Sequence, residues 1–111
     1  MDNRKDDKYF IRKIVENIDA IILYTKDISY DDFVSDSKLI DATMFRLIQM
    51  GENINRLSLE YKTKHNNIQW GLIVGFRNGI VHEYGKTDYT IVYDIITKDI
   101  FDLKNNLLFE N

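Results

Sequence analysis

The sequence predicts an all-α protein, an antiparallel bundle of four main helices. Three observations predict it. Apolar residues recur at i, i+3, i+4 and i+7 nearly throughout the chain. Sustained apolar–polar alternation of the kind strands need is missing. Short polar or glycine-bearing breaks divide the periodic pattern into four, and short connections favour antiparallel neighbours.

The first helix is carried by Ile11, Ile14, Val15, Ile18, Ile21 and Ile22, which fall on one face. "DISYDDF" breaks that pattern, and Ser29 with Asp32 has the spacing of a capping box for a short turn. The second helix runs through Leu39, Ile40, Thr43, Leu47, Ile48, Gly51, Ile54 and Leu57, and the polar "KTKHNN" follows it. Asn67 is the expected N-cap of a third helix that starts near Ile68 and stops before Gly85, a natural residue just past a helix end. Asp88 caps the fourth, whose inner face reads Val92, Ile95, Ile96, Ile100, Leu103 and Leu107.

At 111 residues the chain is expected to form a single domain over 1–111, long enough to bury roughly 65% of its unfolded surface. It has no cysteine, which excludes a disulfide framework and a thiolate metal site. "MDNRKDDKYF" lacks the apolar stretch of a signal peptide, and no apolar run approaches the ~18 residues of a membrane span. A cytoplasmic protein with no membrane partner is expected. The net charge of −3 is unevenly spread. Residues 1–36 carry 6 Lys/Arg against 9 Asp/Glu, residues 37–87 carry 7 against 4, and residues 88–111 carry 2 against 5. The middle stretch is thus basic and can attract phosphate although the whole chain is acidic; ordinary scatter of surface charge reads at least as well.

That basic stretch contains "FRNGIVHEYG", Phe76 to Gly85, which gathers Arg77, Asn78, His82 and Tyr84 into eight residues. Arg and His five apart are a weak signal by themselves, expected by chance in roughly one such chain in four. Taken alone, His82 is first a hydrogen-bonded surface or core residue. On a helix, Arg77 and His82 would point about 140° apart, whereas Asn78 and His82 would share a face. Arg77 and His82 therefore flank a groove, completed at the helix edge or by a second copy about a two-fold axis.

The chemistry of these groups is coherent. A guanidinium binds phosphate with fork geometry, and an imidazole exchanges protons near neutral pH. Together they suit metal-independent transesterification of RNA. His82 would take the 2′-hydroxyl proton or protonate the leaving 5′-oxygen, and Arg77 would stabilise the charged phosphorane. One His with Glu83 and Asp88 nearby falls short of a metal ligand set.

"RNGIVHEY", Arg77 to Tyr84, resembles the Arg-x-x-x-x-His-x-Tyr signature of the HEPN superfamily, specifically its HepT-like toxins. The resemblance extends through "QMGE" from Gln49, "WGLIVGFRN" from Trp70 and "TDYTIVYDII" from Thr87, and so covers essentially the whole chain. It implies a HEPN-like all-α domain that forms a homodimer, with the motif helices of two protomers lining one cleft. It also implies an endoribonuclease toxin with Arg77 and His82 as the catalytic pair and Asn78 in the same site. No cofactor is implied for this chain. The implied partner is a cognate antitoxin, a minimal, MntA-like nucleotidyltransferase that spends ATP to place AMP on Tyr84. Added bulk and negative charge beside a phosphate-binding cleft would exclude RNA.

Gln49 and Glu52 are candidates to support the site from the second helix, and Lys86 to contact RNA; all three read equally as solvated helix or loop residues. Trp70 and Phe76 are expected to pack in the core or a dimer interface, and His65 to sit in a polar loop, ornamental to function. The alternative to a toxin nuclease is a non-catalytic HEPN-like module that binds a nucleotide or a partner; the acidic isoelectric point near 5.3 favours it.

Overall fold

The computed structural model of the chain describes residues 6–70 and 88–110. The described elements are α1 (Asp7–Thr25), α2 (Tyr30–Val34), α3 (Ser37–Asn55), α4 (Leu59–Lys64), α5 (Tyr89–Asp94) and α6 (Ile100–Glu110). A π-helical turn, Ile95–Asp99, joins α5 to α6. Among the described residues every regular element is helical, as the spacing of apolar residues predicts.

Five of the six described α-helices, α1 to α5, start where a short polar side chain satisfies a free backbone N–H. Asp6 accepts from Tyr9 N, Ser29 from Asp32 N, Asp36 from Leu39 N, Ser58 from Tyr61 N and Asp88 from Thr90 N. The expected caps at Ser29 and Asp88 are therefore both present.

The core lies where the periodicity puts it. Ile14, Ile18 and Ile21 of α1 and Met44, Leu47 and Ile54 of α3 are fully or almost fully buried. So are Val92, Ile96, Ile100 and Leu107 beyond Asp88. Each such side chain contributes about 1.5–3 kcal/mol through its removal from water. Among the described elements, packing between α1 and α3 is the most extensive. These two helices run antiparallel, since Asp7 at the start of α1 receives hydrogen bonds from Ser58 just past α3, at 2.8 Å from N and 2.6 Å from Oγ. The stretch 89–110 also runs antiparallel to α1. Tyr93 donates its hydroxyl to the Ile28 carbonyl at 2.7 Å, while Lys104 meets Asp19 at 2.6 Å.

Three features depart from the sequence reading. The polar "KTKHNN" does not simply end the second helix: its first residues belong to α4, and His65 follows as that helix's C-cap. His65 does not lie in a solvated loop; it is buried with its ring stacked on Tyr61, centroids 4.0 Å apart, and Nδ1 lies 2.9 Å from the Tyr61 carbonyl oxygen. Asn67 does not cap a helix at Ile68. Ile68 forms a bend, Trp70 is the first helical residue after it, and the Asn67 amide reaches Asn106 at 3.5 Å. The rest of the expected third helix lies outside the described residues. Finally, the fourth stretch is not a uniform α-helix but widens at Ile95–Asp99. Buried residues spaced by four drift about 40° per step on an α-helix, and the wider turn takes back that drift, so Ile96 and Ile100 share the core face.

The Asp88 cap yields a pH prediction. Hydrogen bonds from the Thr90 hydroxyl, then from the Thr90 and Ile91 amides, hold its carboxyl below the usual carboxylate range. A depressed folded-state value means the cap's contribution is complete above the unfolded pKa of about 3.9 and fades as the pH drops through the lower, folded value. Asp88→Asn keeps an acceptor oxygen but loses the charge. It is expected to melt below the parent at pH 7 and to show a smaller loss on acidification below about pH 4. Circular dichroism melts across that window check it; parallel curves would exclude a charged cap.

Candidate active site

The motif residues Arg77, Asn78, His82 and Tyr84, with Glu83 and Lys86, lie outside the described residues, and what the structure supplies is their setting. On the N-terminal side the chain is anchored by an aromatic group. Tyr61 is buried on α4, His65 stacks on it, and Trp70 approaches Tyr61 edge-on at 6.1 Å. The Trp70 indole donates to the His65 carbonyl at 3.1 Å, and Ile68 is buried between them in sequence. Trp70 thus packs against the core, as expected of it, and is not a free stacking platform. On the C-terminal side Asp88 caps α5 directly after the motif segment.

Gln49 and Glu52, the proposed supports, are half-buried neighbours at i and i+3 on α3. The Gln49 carbonyl accepts from Asn53 Nδ2 at 2.8 Å, leaving the Gln49 amide side chain outside that bond. Both sit on a helix that packs extensively on α1, so any group they touch would be held with little freedom.

The Tyr61–His65–Trp70 anchor was missed by sequence reasoning. Its signal was present in the i, i+4 spacing of Tyr61 and His65, which puts two rings on one face even of a short helix. The polar residues around them masked it. No helix among the described residues is long and apolar enough to cross a membrane.

A second set of groups gathers on the outer seam of α1 and α3. Arg46 donates from Nη1 to Asn17 Oδ1 at 3.3 Å and from Nη2 to Tyr24 Oη at 3.2 Å. Sequence reasoning did not single out any of the three.

Comparison with known proteins places this setting in a family. Residues 14–108 match the family described as "Ribonuclease HepT-like". The chain is 35% identical over 105 residues to a Methanocaldococcus jannaschii protein named "Gamma-glutamylcyclotransferase and putative RNase". That match covers 95% of this chain and 47% of the relative, so the chain spans about half of that protein's length. It is 29% identical over 105 residues to a "Putative RNase" of the same organism, covering 95% of this chain and 96% of the relative. A "Putative RNase" of Caldanaerobacter subterraneus subsp. tengcongensis is 31% identical over 103 residues, covering 93% and 92%. No solved structure matches the chain. The match takes in α3, the aromatic anchor, the Arg77–Tyr84 motif and the capped stretch after it, and the chain belongs to the ribonuclease HepT-like family.

Proposed function

We propose that this protein is a ribonuclease that cuts RNA by transesterification and serves as the toxin of a toxin–antitoxin pair. The observation that carries the reading is the intact set Arg77, Asn78, His82 and Tyr84 inside a family match that spans 14–108. His82 draws the proton from a ribose 2′-hydroxyl, and that oxygen forms a bond to phosphorus as the bond to the 5′-oxygen breaks. A protonated imidazole returns the proton to the leaving 5′-oxygen, giving a cyclic phosphate and a free 5′-hydroxyl. Arg77 binds the equatorial oxygens as their charge rises, and Asn78 orients the ring or a phosphate oxygen. A second copy related by two-fold symmetry brings another Arg77 and His82 to the cleft, so that one His serves as base and the other as acid. No metal takes part in this scheme.

Regulation follows from Tyr84, two residues after His82. A minimal nucleotidyltransferase partner transfers AMP from ATP to the phenolic oxygen, with pyrophosphate leaving, and the new phosphate repels RNA from the site.

Two measurements test the proposal. Unmodified protein is expected to cut single-stranded RNA at an undiminished rate in excess chelator; RNA that is bound but left whole would favour the non-catalytic binding module instead. Co-expression with the partner is expected to add whole adenylate units to the intact mass, all lost in Tyr84→Phe. An unchanged mass would remove the regulatory half of the proposal.

A further inference from the structure

We infer that Arg46 forms a phosphate-binding site for single-stranded RNA on the seam of α1 and α3, a site built from none of the residues of the Arg77–Tyr84 motif; the choice of RNA rests on the function proposed above. Asn17 and Tyr24 stand at i and i+7 on α1, nearly in line, and Arg46 reaches across to both from α3. Asn17 is only 6% exposed. Its Nδ2 donates to the Lys13 carbonyl at 2.9 Å, which leaves Oδ1 as the acceptor turned to Arg46. The guanidinium carbon also lies 5.9 Å from the centre of the Tyr24 ring. The arginine is thus held in place before any ligand arrives.

Its charge, however, is not neutralised by any of the described residues. A guanidinium has five N–H donors, and two of them are engaged here, both by neutral oxygens. No carboxylate among the described residues pairs with Arg46. Glu16 is taken by Lys13 at 3.2 Å, and Asp19 by Lys104 at 2.6 Å. A half-buried cation without a counter-charge gains most from a ligand that brings one. The remaining donors offer the planar fork that suits a phosphate, and the Tyr24 ring, 37% exposed, offers a face to an adjoining base. Phosphate bound beside a stacked base is the recognition pattern of single-stranded nucleic acid. The site stands on two helices in extensive contact and one turn from Gln49 along α3.

The test is fluorescence anisotropy with a short labelled single-stranded RNA, on protein carrying His82→Ala so that the probe stays whole. Arg46→Ala is expected to weaken binding about tenfold and to reduce the slope of log affinity against log salt by ~0.7, the share of one phosphate contact. Arg46→Lys restores the slope but only part of the affinity, because it keeps the charge and loses the fork. Should alanine unfold the seam, Arg46→Gln keeps a donor toward Asn17 without the charge and gives the same readout. Equal affinity and equal slope for Arg46→Ala and its parent, with a lower melting temperature, would overturn the inference and leave Arg46 as a helix clamp. RNA that fails to bind the parent would instead overturn the nuclease reading itself.

Discussion

His82→Ala is expected to reduce RNA cleavage by about 10²–10⁴-fold, the usual contribution of a positioned acid–base group. Arg77→Ala is expected to fall in a similar range, because one preorganised donor at a developing oxyanion accounts for about 10²–10³ in rate. The two losses need not add. If both groups act on one phosphorane, the double variant should be little slower than the worse single one. Growth arrest on expression should be relieved by either change, while circular dichroism and oligomeric state stay those of the parent. His82→Ala cutting at the parental rate would refute the assigned chemistry. A loss shared by His65→Ala would point to folding and not catalysis, since His65 is packed on Tyr61.

Phe33→Ala is expected to cost about 3–5 kcal/mol in a urea titration, the largest stability loss of any single side chain proposed here. α2 has five residues, too few to persist as an isolated helix. Phe33 is its buried anchor, with no exposed surface, and its ring stands 6.2 Å from that of Tyr93. Removing the ring opens a cavity between α2 and the α5 stretch and frees the turn that Ser29 caps. Tyr30→Ala is the internal comparison. That ring is 36% exposed and meets Tyr93 edge-on at 5.4 Å, so its loss should cost no more than about 0.5–1.5 kcal/mol. Equal effects of the two changes would mean that α2 is not docked through Phe33.

Much of the fold was legible from the chain. The inward faces of α1 and α3, and that of the stretch after Asp88, are those read from the 3.6-residue period. Caps at Ser29 and Asp88 were legible because a cap needs only its own residue and the next three. What escaped was local structure whose stability comes from elsewhere. α4 carries Lys62, Thr63 and Lys64 and looks like a loop until Tyr61 and His65 are seen packed under Trp70. The π turn at Ile95–Asp99 was equally hidden, for it corrects a drift that appears only once Ile96 and Ile100 must face the same core.

The candidate site divides the same way. Arg77, Asn78, His82 and Tyr84 are close in sequence, so their spacing and chemistry could be read at once and their family assigned from neighbouring words. Arg46, Asn17 and Tyr24 are up to 29 residues apart, and nothing in their spacing announces that they meet.

The order of residues alone determined that the described part of this chain is helical, which faces turn inward, and where its family motif lies. All three depend on contacts within a few positions of one another. Tertiary structure decided that His65 is a buried ring and that Asn67 turns its amide toward Asn106. It also decided that a guanidinium on α3 rests between two neutral oxygens of α1, with no carboxylate partner among the described residues. These depend on groups far apart in the chain, brought together only when the helices bury their common core.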